Sequence, residues 1–187
     1  MKIAILASEG APYAKSGGLG DVMEALPAAL SRIEGNEVVL VLPYYKKVKE
    51  NPKYEVEKVA EFEVGLGWRN LYCGVMKLTN REDKVTVYFI DNDYYFGARP
   101  GAIYGDDDDN ERYAYFSKAC LDTLAVLGFI PDVIQCNDWQ TALVPSLRAR
   151  FMMALALYMT TVRMVLSSRT TSSVTGGIQW LSSTRIS

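Results

Sequence analysis

The residues best equipped for chemistry lie in AKSGGLGD, at positions 14–21. Lys15 stands two residues before the pair Gly17-Gly18, and Leu19, Gly20 and Asp21 follow. Glycines at this density let a backbone approach a ligand closely. The phosphate-loop pattern GxxxxGK[ST] fails, because the lysine precedes the glycines. The dinucleotide fingerprint GxGxxG fails too, because Met23 occupies its third glycine position. What remains is a glycine-rich turn that opens a helix. Its unpaired N–H groups and positive dipole end suit an anion. Lys15 adds a flexible point charge that can reach a phosphate. An ordinary strand-to-helix turn with an exposed lysine has the same pattern, so the stretch alone leaves both readings open.

Two other groups of residues could meet a ligand. Tyr94, Tyr95, Phe96, Arg99 and Tyr104 cluster along the chain. Aromatic faces and a guanidinium suit the C–H faces and hydroxyl edges of a sugar, but they equally suit a packed turn. Asn137, Asp138 and Trp139 follow a short apolar run, at the rim where open α/β sheets bind ligands. Asp106 to Asp109 lack the alternation of a calcium loop and read as a solvated approach to a helix N-terminus. Histidine is absent, which removes histidine acid–base catalysis and histidine metal ligands, and no metal site is expected. Cys73, Cys120 and Cys136 have no ligand spacing and read as reduced, buried thiols of a cytoplasmic protein.

The elements that must position these residues follow from periodicity. Residues 2–7 (KIAILA) and 37–42 (EVVLVL) read as buried strands, with a loop at 8–20 and a helix between them. Asp21 with Glu24 has capping-box spacing, which predicts a helix start at Asp21. Val22, Leu26, Ala29, Leu30 and Ile33 would form its inner face, and Pro27 predicts a kink. Residues 54–64, 71–78 and 84–90 read as a meander of strands. Residues 109–127 read as a helix ending at Gly128, 132–136 as a strand, and 139–149 as a further helix. Strand, helix, strand at the start predicts a βαβ unit. The fold class is α/β: a Rossmann-like, doubly wound, mainly parallel sheet with a meander inserted.

Composition sets limits. Hydrophobic residues make up 49% and charged residues 22%, which is globular, and the net charge of −2 gives no case for nucleic acid or anionic membrane as partner. No signal peptide is read at the start. The apolar run at 151–166 is too short to span a bilayer and contains Arg163. Residues 151–187 contain no Asp, Glu or Lys but hold 13 Ser or Thr and four of the seven Met. All 22 acidic residues precede them. That break divides the chain into a domain at 1–150 and an aberrant tail at 151–187. The tail is expected to be disordered or translated out of frame after a shift near residues 147–152.

The opening MKIAILASEGAPYAKSGGLGDVMEALPAAL resembles the N-terminus of bacterial glycogen synthases and plant starch synthases. DNDYYFGARPGAIYGDDDDNERYAYFSKA at 91–119 and PDVIQCNDWQTALVP at 131–145 resemble further motifs of that family. The resemblance covers residues 1 to about 148. It implies the first, acceptor-side half of a two-domain GT-B glucosyltransferase, with the donor domain absent from this chain. It implies ADP-glucose as donor, an α-1,4-glucan as acceptor, retention of configuration and no cofactor. Lys15 would meet the donor's distal phosphate, and Gly17, Gly18 and Leu19 would lie against the transferred glucose, with Glu9 nearby. Asp138 would be a carboxylate near the reacting sugar. Tyr95, Phe96, Arg99, Tyr104, Asn137 and Trp139 would contact sugar or glucan. Ser16 varies within the glycine motif, and Gln135 replaces a common His. A Val/Thr-His-Asn segment usual after residue 150 does not occur. The chain by itself is expected not to catalyse transfer. A glycan-binding module without transfer activity and a flavodoxin-like nucleotide-binding domain are the alternatives.

Overall fold

The computed structural model describes residues 1–148 and the backbone of residues 163–167. Its strands are β1 (Lys2–Leu6), β2 (Glu37–Pro43), β3 (Val56–Leu66), β4 (Arg69–Leu78), β5 (Val85–Asp91), β6 (Val133–Asn137) and β7 (Arg163–Ser167). They form one sheet in the order β3-β4-β5-β2-β1-β6-β7. From β5 to β7 neighbouring strands are parallel, whereas β3, β4 and β5 are joined antiparallel. The expected meander is therefore the flank of the same sheet, and β5 carries it into the parallel part.

The central parallel strands β1 and β2 are buried on both faces, so they read as continuous apolar runs. In β2 every residue from Val38 to Pro43 is buried, and in β1 every residue from Ile3 to Leu6. The flanking β3 alternates instead, with Glu57, Glu61 and Glu63 exposed. Helix α1 (Gly18–Ser31) links β1 to β2, and α3 (Asp109–Val126) links β5 to β6. These two crossovers run in opposite directions along the sheet. Right-handed connections then place α1 and α3 on opposite faces, as a doubly wound sheet requires. A short helix α2 (Lys46–Lys49) follows β2.

Helix α3 behaves as its spacing predicts. Tyr113, Phe116, Ala119, Cys120 and Leu124 are buried, and Gly128 ends it at φ +64°. Its Schellman-type bonds run from Gly128 N to Ala125 O (3.0 Å) and from Phe129 N to Leu124 O (2.9 Å). Only glycine takes that positive φ without strain.

Helix α1 differs from expectation in two ways. It starts at Gly18, with Gly17 as N-cap and no side-chain cap, so Asp21 lies in the first turn. Gly18 and Gly20 thus lie in its first turn. Its buried stripe is Gly20, Met23, Pro27 and Ser31, while Val22 and Ile33 are exposed. Small residues on that stripe let α1 lie close to the sheet, and the helix runs through Pro27 as one element.

Two further differences concern the end of the chain. Trp139–Thr141 form a 3-10 turn, and the α-helix predicted over 139–149 begins only at residue 144 and runs through residue 148 among the described residues. The backbone of Arg163–Ser167 pairs in parallel with β6, from Val133 opposite Arg163 to Asn137 opposite Ser167. No strand was read at these positions from the sequence. The rest of the predicted tail lies outside the described residues.

Candidate active site

A sheet of this order has one switch point, where the chain turns from one side of β1 to the other. It lies between β1 and β6, whose ends meet at Leu6 opposite Cys136. Loops leaving the carboxyl ends of two such strands diverge and leave a crevice. A cleft of about 540 Å³ occupies that place. It is lined by Glu9, Ser16, Gly17, Gly18, Leu19 and Val22 from the β1–α1 side. Tyr104, Asn137, Asp138, Trp139 and Gln140 line the other side.

On the β1 side the central group is Glu9, which is only 3% exposed. Its Oε2 accepts from the Ser16 amide, from Ser16 Oγ (2.8 Å) and from the Gly17 amide (3.2 Å). A resident carboxylate thus holds the first amides of the glycine loop. The next amides, at Gly18 and Leu19, open α1, and nothing stands within 4 Å of where a Gly18 side chain would project. Lys15 is half exposed and bonds Asp21 Oδ1 at 2.6 Å. Its stem passes over Gly20, where a Cβ would sit 2.7 Å from Lys15 Cγ. The lysine is thereby held at the helix end, beside the cleft rather than in its wall. Lys47 is a second cation in this region. Burial pulls its pKa below the ordinary lysine value, and the Glu9 charge opposes that pull.

On the β6 side Asp138 has φ 63° and ψ −177°. That combination is close to glycine-only and costs a non-glycine residue about 1–3 kcal/mol. The peptide is held there by its neighbours. Thr141 Oγ1 donates to Asn137 O (3.0 Å), and the Thr141 amide donates to Asp138 O (3.3 Å). Asp138 Oδ1 accepts from the Trp139 amide at 2.7 Å. The result is a carboxylate and a 49%-exposed indole presented at the same rim. The Trp139 ring meets Tyr113 edge-on at 5.2 Å and Tyr104 at 6.3 Å.

Tyr104 bridges the two sides. Its hydroxyl lies 3.2 Å from Ser8 Oγ, at the end of β1. Burial, with the Glu9 carboxylate adding to it, pushes the phenol up to about 12, so it stays a neutral hydrogen-bonding group. Behind it, Tyr45 OH donates to Ser8 O (2.7 Å), and Tyr113 OH donates to Ile103 O (2.6 Å).

Of the residues expected at the site, Glu9, Gly17, Gly18, Leu19, Tyr104, Asn137, Asp138 and Trp139 line this one cleft, with Lys15 at its edge. Tyr95, Phe96 and Arg99 are not brought to it. Tyr95 and Phe96 are fully buried in a π-helical turn (Asp93–Gly97) that aims them at α3. Tyr95 packs on Tyr115 at 4.9 Å and bonds Glu111 at 2.5 Å. Arg99 is spent on Asp108 and Asp106. These aromatics are core. Asn137 lines the cleft, but its amide serves the fold: Nδ2 donates to Leu6 O (2.9 Å) and Oδ1 accepts from Gln135 (3.0 Å). The motif reading missed Ser8, Ser16, Val22 and Gln140. Ser8 and Gln140 directly adjoin Glu9 and Trp139, so rim position could have found both.

Among the described residues one acidic group, Asp106, Asp108 and Asp109, has oxygens close enough together for a cation. Arg99 and Arg112 already pair with all three. Cys73, Cys120 and Cys136 are buried free thiols, and burial pushes Cys73 and Cys136 up to about 12. No helix among the described residues is long and apolar enough to cross a membrane.

The fold and cleft therefore define an open α/β domain with a ligand crevice at its switch point. Comparison with known proteins makes this specific. The family model of the starch synthase catalytic domain matches residues 2–167. Glycogen synthase of Streptococcus agalactiae serotype III (strain NEM316) is 49% identical over 147 residues, 79% of this chain and 30% of that protein. Glycogen synthase of Streptococcus equi subsp. zooepidemicus (strain H70) is likewise 49% identical over 147 residues. The catalytic domain of starch synthase IV from Arabidopsis thaliana, solved bound to ADP and acarbose, superposes with a TM-score of 0.75. It is 31% identical, over 88% of this chain and 33% of that one. The chain belongs to the starch synthase catalytic domain family. It spans about 30% of the length of the curated relatives it matches.

Proposed function

We propose that this chain forms the acceptor-side wall of an enzyme that transfers glucose from ADP-glucose to the non-reducing end of an α-1,4-glucan, with retention. The observation that carries this reading is the convergence of the glycine loop, Asp138 and Trp139 on one cleft at the switch point. The neighbouring catalytic domain of starch synthase IV was solved bound to ADP and acarbose. When ADP leaves, negative charge builds on its distal phosphate. The free amides at the start of α1 and the Lys15 ammonium are placed to stabilise that charge. Lys15 exchanges Asp21 for phosphate at that moment. Positive charge develops at the anomeric carbon, and the Asp138 carboxylate opposes it. Trp139 offers a face on which a glucosyl ring stacks. A cytoplasmic setting belongs to this proposal, supported by the three unpaired thiols.

The described residues form one wall only, and Lys15 is half exposed there. Retaining transfer needs a donor fixed by a closed, dry site. The described residues by themselves are therefore expected not to catalyse transfer. One observation favours a glycan-binding module without transfer: Glu9 already fills amides that a phosphate would use. ADP release from ADP-glucose with glycogen tests both, using a full-length enzyme carrying this sequence and its Asp138→Ala variant. Asp138-dependent release supports transfer. Glycogen binding by that enzyme without release would leave the binding module standing.

A further inference from the structure

Among the described residues that line the cleft, one buried side-chain polar atom has no hydrogen-bond partner. Gln140 is 1% exposed and lines the cleft, yet its Oε1 has no hydrogen-bond partner. Its backbone is fixed, since its carbonyl accepts from Ser117 Oγ at 3.1 Å. Its neighbours on both sides are held by the turn that presents Asp138 and Trp139. A buried, unpaired acceptor costs stability, and such groups are rare unless something completes them. Asn137, the amide expected to read a sugar, is occupied by Leu6 and Gln135. We propose that Gln140 is a specificity-determining residue of this cleft, whose side-chain oxygen accepts a hydrogen bond from a hydroxyl of a bound glucosyl unit. This rests on the sugar-binding reading of the cleft. A glucosyl hydroxyl arrives either on a nucleotide sugar or on the end of a glucan.

The chain has three glutamines, Gln135, Gln140 and Gln179, so their side-chain amides give few and assignable NMR signals. The labelled chain is titrated with ADP-glucose in one arm and with maltotetraose in another, reading the Gln140 amide and the Trp139 indole. The expected result is a saturable shift of both in at least one arm, and the arm identifies the source of the hydroxyl. Gln140→Met, which fills the site without an acceptor, is expected to bind that ligand about tenfold or more weakly. Without ligand its unfolding temperature should equal or exceed that of the parent, because an orphaned oxygen has been removed. A structural role would lower it, and that result overturns the proposal. If Trp139 shifts and Gln140 does not, the cleft binds sugar and this inference fails. If neither signal moves in either arm, the cleft reading fails with it. The parent spectra decide even if Gln140→Met does not fold.

Discussion

Lys15 Nζ lies 2.6 Å from Asp21 Oδ1, with the lysine stem laid across Gly20. Both charged groups are half exposed or more, so the pair adds about 0–1 kcal/mol to stability. Its importance lies in where it parks the charge. In a full-length enzyme carrying this sequence, Lys15→Gln should leave the unfolding temperature nearly unchanged. ADP-glucose use should fall by about 1–3 kcal/mol in kcat/KM, the range for a partly desolvated charged hydrogen bond. Unaltered donor kinetics would remove Lys15 from the mechanism.

Asp138 supplies a test that separates chemistry from strain. Asp138→Ala and Asp138→Gly both lose the carboxylate and its bond to the Trp139 amide. Only glycine accepts φ 63° with ψ −177° freely. The glycine variant should be the more stable of the two by about 1 kcal/mol, and both should be inactive in the full-length enzyme. Thermal unfolding of the two proteins checks the order. An alanine variant as stable as the glycine one would mean that the backbone relaxes once the side chain goes.

The two aromatic groups should behave oppositely. Phe96→Ala opens a cavity in a fully buried site and should cost about 3–5 kcal/mol. Trp139→Ala should cost far less stability, because half the ring is exposed, but should weaken maltotetraose binding. Denaturant unfolding and oligosaccharide titration of both variants check this. Weakened sugar binding by a fully folded Phe96→Leu protein would return that residue to the site.

Acid should loosen the loop that carries Tyr104. The Arg99 guanidinium hydrogen-bonds the Asp108 carboxyl and holds its pKa below the ordinary 3.8. A depressed folded pKa stabilises the fold above the unfolded value, and that contribution is lost as pH falls through the folded one. The loss therefore lies below about pH 4. In Asp108→Asn that part of the acid limb should be absent, which a stability profile between pH 2 and 6 reads directly. An unchanged acid limb would exclude the pair from the loop's stability.

The gene should show why residues 151–187 differ in composition. A DNA read across codons 147–152 is expected to reveal a one-base insertion or deletion whose correction restores a Val/Thr-His-Asn segment. An intact frame would refute this.

Much of the fold was legible because burial writes itself into the sequence. β1 and β2 are unbroken apolar runs since both faces are covered, and α3 repeats its aromatics at helical spacing. The switch-point rim was legible for the same reason: it begins where those runs stop, at Glu9 and at Asp138. What sequence could not show was direction. Tyr95 and Phe96 have the composition of a sugar platform, and only the π-helical turn after β5 determines that they point inward. Asn137 and Gln140 offer the same amide three residues apart, and tertiary hydrogen bonds alone decide which one is already taken. The start of α1 was misplaced because Asp21 looks like a cap. The glycines before it had already entered the helix.

Glu9 gives the glycine loop an anion of its own. A loop of bare amides at a helix end would collect any small anion, and cells are rich in inorganic phosphate. Here the first amides carry a tethered carboxylate that dilution cannot remove and free phosphate must displace. Only a ligand that brings many more contacts along the cleft can compete on good terms. The carboxylate thus narrows what the loop offers a stray anion to the amides that open α1.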